Sequence, residues 1–277
     1  MYQYKRLLAD ANIMTKVTLI FLCSIFMLFV CCGMSLALDK IVDTQYKTYV
    51  FQSVMACMVF LLPALALSFF FHKQEESSLS YLSVDKMPRP VLLGLGLVSI
   101  LSAIPLVNGT AELNKMVVPE DEAAAAKLVE LLTSGGLSFF FLRILVVAFL
   151  TAVTEEMFFR GLLQNTLVRY MGCIPAVCIS SLIFSLAHND LSGVLPRFLL
   201  GCFLGFLLVR SGSLWLSVFV HFVHNGVIVT CYYFFFDKAS CDCFIDRWGS
   251  DSVLWPLVSA VVVAGCVSLI YRNTRRS

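Results

Sequence analysis

Seven residues in the second half of the chain are of types that move protons or hold charge in place: Glu155, Glu156 and Arg160 in TEEMFFR, His188 in FSLAHND, and His221, His224 and Asn225 in HFVHN. Carboxylate, imidazole and carboxamide are the parts of a hydrolytic site. They supply a base to deprotonate water, a group to orient that base and a donor for a developing oxyanion. Glu156 and Arg160 are four apart, so on a helix they share a face and pair. That leaves Glu155, rotated away, as the candidate base. His221 and Asn225 have the same spacing and stand one above the other, with His224 on a neighbouring face as an auxiliary group. Glu155, His188 and His221 are also acceptable Zn²⁺ ligands for an open metal site. Other protease signatures are missing: there is no His-Glu-x-x-His, no Gly-x-Gly-Asp and no Gly-x-Ser-Gly.

The elements that must carry these residues are apolar. Hydrophobic residues make up 59% of the 277 and charged ones 14%, with a mean hydropathy of +0.87, far from the averages of water-soluble domains. A helix needs ~20 apolar residues to cross a bilayer. Runs of that kind read at Val17–Leu38, Tyr49–Phe71, Val91–Val107, Leu137 to beyond Arg160, Cys173–His188, Val194–Val209, Leu214–Phe236 and Leu254–Tyr271. The expected fold is therefore all-α, a polytopic transmembrane bundle of about eight spans. The first run is too long for a signal-peptide core and reads as a retained helix. Lys and Arg are in excess on the side holding both termini, which predicts cytoplasmic termini. A charged side chain at mid-bilayer costs at least ~2.5–3.5 kcal/mol, so the Glu155 and Glu156 pair is a functional suspect by position alone. If the chain turns at Met171-Gly172, Glu155 and His188 lie at equal heights on an antiparallel hairpin and can face each other.

Other features are weaker in chemistry. A net charge of +2 without a basic patch excludes nucleic acid as a partner. Most of the eleven Cys sit in apolar runs as small hydrophobes; Cys241 and Cys243 fall in an outer loop, with a structural or redox role open. Asn108-Gly109-Thr110 fits a glycosylation sequon. PEDEAAAAKLVELL reads as a short amphipathic helix with Pro119 in its first turn. Arg143 and Arg197 read as snorkelling or helix-pairing residues, His72 as interfacial, and the Phe triplets as lipid-facing or core.

The motifs resemble those of the CPBP family, the type II CAAX prenyl endopeptidases and their bacterial relatives, also called the Abi group. EEMFFR matches its Glu-Glu-x-x-x-Arg motif, FSLAH its Phe-x-x-x-His motif and HFVHN its His-x-x-x-Asn/Asp motif, with GSLWLSVFVH as the usual lead-in. The resemblance covers about residues 137–230. It implies an intramembrane protease in which Glu155 and His188 activate water, His221 and Asn225 stabilise the oxyanion, and Glu156 and Arg160 position them. Such enzymes have been described both as metalloproteases and as glutamate-dependent proteases without an essential metal, so the Zn²⁺ reading at Glu155, His188 and His221 stays open. His224 has no place in the family pattern.

The sequence thus predicts an N-terminal transmembrane region over 1–136, a catalytic core over 137–236, and an outer loop with a last helix over 237–277. The expected partners are the lipid bilayer and a membrane-associated protein or peptide substrate, prenylated in the CAAX-type case. The expected location is a bacterial cytoplasmic membrane. The rival reading is a non-catalytic membrane protein, a bacteriocin-immunity-type binding protein or a proton-relay transporter, using the same polar cluster as a relay or clamp.

Overall fold

The computed structural model describes residues 8–237, 239 and 242–274. It is a helical bundle, with one two-residue antiparallel hairpin that pairs Phe236 with Cys243. In chain order the helices are α1 (Ile13–Ile41), α2 (Tyr46–Phe71), α3 (Ser78–Tyr81), α4 (Pro90–Ser102), α5 (Ile104–Lys115), α6 (Glu122–Thr133), α7 (Leu137–Met171), α8 (Cys173–Leu186), α9 (Val194–Ser211), α10 (Leu214–Phe235), α11 (Phe244–Arg247) and α12 (Leu254–Thr274).

Six of these are long and apolar enough to cross a membrane: α1, α2, α7, α9 with the 3₁₀ turn before it, α10 and α12. The chain is an integral, multi-pass membrane protein. Two of the eight expected spans differ, each for a physical reason. The run at Val91–Val107 is split into α4 and α5, which meet at 43°. Pro105 lies in the first turn of α5, where it cannot supply the N–H that a continuous helix needs. Counted as one broken span, the pair raises the total to seven. The run at Cys173–His188 forms only the 14-residue α8, about 21 Å long at ~1.5 Å per residue, short of the hydrocarbon thickness. α6 begins at Glu122 rather than at Pro119, because Asp121 caps it by accepting from the backbone N–H groups of Ala123 and Ala124.

Three wide π-helical stretches interrupt the long helices: Ala56–Leu61 in α2, and Ile144–Leu150 and Met157–Gln164 in α7. Each adds backbone to a turn and re-aims the side chains beyond it. The two in α7 leave only Thr151–Glu156 in ordinary α geometry between them. The segment carrying both carboxylates is thereby set off from the rest of its helix. α7 then runs to the turn at Gly172, whose φ of +81° favours a residue without a Cβ, and α8 returns from it.

Two apolar clusters hold the bundle. One gathers Phe71, Tyr81, Phe158, Phe159, Leu163 and Phe184 where α2, α7 and α8 meet. The other joins Leu92, Ile100, Leu204, Leu216, Val220 and Ile270 from α4, α9, α10 and α12. The loop after α3 closes one end. Asn165 donates to Tyr81 O and Ser83 Oγ, Trp215 Nε1 donates to Val84 O, and Ser213 Oγ donates to Lys86 O.

Arg143 is fully buried rather than snorkelling. Its guanidinium donates to Tyr49 Oη at 3.1 Å and to the Ser134 carbonyl, tying α7 to α2 and to the turn before α7. Arg197 instead clasps Asp190, 2.7 Å from its Oδ2, and so closes the 3₁₀ turn ahead of α9. His72 is buried at the end of α2, with Nδ1 2.8 Å from Lys73 O. Asn108, in the sequon, is occupied internally: its amide donates to Ile245 O and Trp248 O, fastening α5 to α11. Cys241 lies outside the described residues; Cys243 is buried. Replacing Arg143 by Ala strands the Tyr49 and Ser134 groups in an apolar setting. The expected cost is about 1–3 kcal/mol, read as a lower midpoint of thermal unfolding in detergent.

Candidate active site

The site grows from α7. Glu156 and Arg160 bond as their spacing predicts, with Arg160 Nη1 3.0 Å from Glu156 Oε1, and both side chains are completely buried. The guanidinium has two further contacts: Nη2 donates to the Gly201 carbonyl at 3.3 Å, and the group lies 4.3 Å from the centre of the Phe184 ring. One turn along, Gln164 Nε2 donates to Gly205 O at 3.2 Å. Two positions four apart on α7 thus bond two carbonyls four apart on α9. Both α9 positions are glycine because there is no room for more: a Cβ at Gly201 would stand 2.9 Å from Ser181 Cβ and 3.2 Å from Arg160 Nη2, and one at Gly205 would stand 2.5 Å from Gln164 Oε1. Small residues at such spacing let membrane helices approach closely.

His221, on α10 and nearly buried, meets both carboxylates. Its Nδ1 is 2.9 Å from Glu156 Oε1, and its Nε2 is 3.9 Å from Glu155 Oε2. The Glu156 oxygen that faces the imidazole also accepts from Arg160, so it acts as an acceptor and the proton sits on Nδ1. In a neutral imidazole that makes Nε2, on the side facing Glu155, the acceptor. Glu155 Oε2 and Glu156 Oε2 are buried without a hydrogen-bond partner. Glu156 is compensated by a guanidinium; among the described residues no Arg or Lys pairs with Glu155.

Asn225 lies one turn beyond His221 and donates to Val147 O at 3.4 Å, a carbonyl in the first π stretch of α7. Thr151 serves the adjacent Val146 carbonyl in the same stretch. His188 follows the end of α8 and is exposed. Its Nδ1 donates to Phe184 O at 2.9 Å, so Nε2 is the ring nitrogen clear of its own helix. No ion pair joins His188 to Glu155. The link between the two histidines is the Phe184 ring, met edge-on by His188 at 5.0 Å and by His221 at 5.9 Å. His224 is not with the carboxylates; it lines a cavity of about 230 Å³, with Ile104, Leu128, Leu132 and Tyr232.

The structure therefore gathers Glu155, Glu156, Arg160 and His221, places Asn225 one turn away, and sets His188 behind Phe184. Among the described residues no three His, Cys, Asp or Glu are grouped so as to hold a metal ion. Glu155, His188 and His221 are not so grouped. Sequence reasoning passed over Gln164, Gly201, Gly205 and the bridging role of Phe184. The signals were present: Gly-x-x-x-Gly in an apolar helix, and a Gln one turn past the motif arginine.

Residues 137–227 match the family model described as "Type II CAAX prenyl endopeptidase Rce1-like". Over 88 residues the chain is 31% identical to a Bacillus subtilis (strain 168) protein named "Putative membrane peptidase YdiL". That alignment takes in 32% of this chain and 36% of the relative, so it spans about a third of either protein. No solved structure matches. The matched segment begins with α7 and ends in α10, and it includes all of the site residues.

Gly205→Leu forces Gln164 and the neighbouring α9 backbone apart. Its expected cost is about 1–3 kcal/mol, typical of overpacking. Gly212→Ala, with nothing near its Cβ but a φ of +66°, serves as the control in the same melting experiment, since its penalty is local backbone strain alone.

Proposed function

We propose that the chain is a membrane endopeptidase that hydrolyses a peptide bond of a membrane-associated protein, with residues 137–236 as its catalytic core. The observation that carries this reading is His221, held by Glu156 at Nδ1 while Nε2 faces the uncompensated carboxylate of Glu155. Such a pair can hold one water between an acceptor nitrogen and an acceptor oxygen. In the proposed reaction Glu155 takes a proton from that water as its oxygen bonds to the scissile carbonyl carbon. The carbonyl oxygen becomes an oxyanion, and in this reading the Asn225 amide, one turn beyond His221, donates to it. Protonated Glu155 then gives its proton to the amide nitrogen, the C–N bond breaks, and an amine and a carboxylic acid leave. His188 assists water activation through Nε2 from the side of Phe184. Glu156 and Arg160 position the imidazole and touch no reacting atom.

Similarity to an Rce1-like type II CAAX prenyl endopeptidase makes a prenylated CAAX-type substrate the first class to try, and a bacterial membrane with both termini cytoplasmic is the setting proposed for it. A proton relay fits less well, because the titratable group beyond His221 is Glu156, whose oxygen is already paired with Arg160.

Wild-type protein in detergent, incubated with quenched membrane peptides with and without a farnesylated CAAX end, is expected to cleave at least one class. Glu155→Gln is expected to lower the rate by about 10²–10⁴-fold and Asn225→Ala by about 10²–10³-fold, with both variants eluting as folded monodisperse protein. Equal cleavage by wild type and Glu155→Gln would remove Glu155 as the base.

A further inference from the structure

Far from the carboxylates, where the start of α1 meets the ends of α2 and α7, lies a cavity of about 290 Å³. Its basic lining residues are Lys16, Lys73 and Arg169. Lys16 is unusual because it is only 3% exposed, yet among the described residues no carboxylate lies within ion-pairing distance of its ammonium. One N–H donates to Ala9 O at 2.8 Å, and the ammonium sits 5.3 Å and 5.8 Å from the ring centres of Phe71 and Tyr170. An ammonium has three donors, so two are left for another acceptor. Arg169 is bound by Glu76 through both of its terminal nitrogens, and Asp10 lies on the cavity wall. Three cations against two acids leave an excess of one positive charge.

We propose that this cavity binds one phosphodiester group, that of an anionic phospholipid. A phosphodiester carries one negative charge, equal to the local excess, and its oxygens accept from Lys16 and Lys73. The source is a lipid because of where the cavity stands. It lies at the level where three apolar helices end, and the first of them, α1, carries Met14, Leu22 and Phe26 in exposed positions. A lipid whose headgroup enters the cavity has apolar helix surface at that same level for its acyl chains. Basic pockets between membrane helices suit such headgroups, and each Lys or Arg near the charge contributes about 1 kcal/mol. The assignment is independent of the proteolytic reading, since none of its residues belongs to the candidate active site.

Native mass spectrometry of the full chain, released from a neutral detergent in the presence of phosphatidylglycerol, phosphatidylcholine or inorganic phosphate, tests it. One phosphatidylglycerol should be retained in preference to phosphatidylcholine. Lys73→Gln, an exposed position, should weaken retention about fivefold, and Lys16→Met should abolish the preference. If Lys16→Met fails to fold, Lys73→Gln alone decides. Equal retention of the two lipids by wild type, or unchanged preference in Lys73→Gln and in any folded Lys16→Met, would overturn the proposal. Displacement of phosphatidylglycerol by an equal concentration of inorganic phosphate would overturn the lipid source, leaving a site for a free anion.

Discussion

The structure depends on an ion pair that is shut off from the protein surface. Glu156 and Arg160 are both fully buried, in a helix whose surroundings are hydrocarbon and other apolar helices. Removing two charges from water costs several kcal/mol per ion, which their attraction offsets only with good geometry and further hydrogen bonds. Each extra bond here recruits another element: Gly201 O from α9, the Phe184 ring from α8, and His221 from α10. Satisfying one arginine and one glutamate therefore fixes the mutual placement of four helices. Loss of either partner would leave an uncompensated charge at the centre of the bundle.

From that constraint follows a division of labour between adjacent carboxylates. Glu156 is neutralised by Arg160 and spent on holding an imidazole; Glu155, one residue earlier, faces the same imidazole from the other side without a cation of its own. Two like groups given different surroundings can take different roles; in the proposed reaction Glu156 is the structural acid and Glu155 the reactive one. The π stretches on either side of Thr151–Glu156 belong to the same arrangement. They set the six-residue α segment off from the helix ends, and the first of them presents carbonyls to Thr151 and Asn225.

Much of this was legible in the sequence, because pairing four apart on a helix is local and needs no knowledge of the fold. The Glu156–Arg160 bond and the turn at Gly172 are of that kind. Hydropathy alone also identified the long helices, but it could not see that Pro105 breaks one apolar run or that α8 stops at Leu186. The pairing of His221 with Glu156 was not legible. Height along a hairpin suggested His188 as the partner of Glu155, yet which histidine turns inward is decided by how α10 packs on α7. His188 had a nearer acceptor in its own Phe184 carbonyl. The glycines of α9 were passed over because their function lies in what they leave out.

The central claim is that Glu156 holds His221 so that its Nε2 is free to accept a hydrogen bond from the water whose proton Glu155 takes. ¹⁵N spectra of histidine-labelled protein in detergent, with the His221 signals assigned by loss in His221→Gln, read the tautomer directly. The account predicts a protonated Nδ1 and an unprotonated Nε2 on His221 at neutral pH. A proton found on Nε2 with Nδ1 bare would contradict it, since the nitrogen facing Glu155 would then be a donor and unable to accept a hydrogen bond from that water.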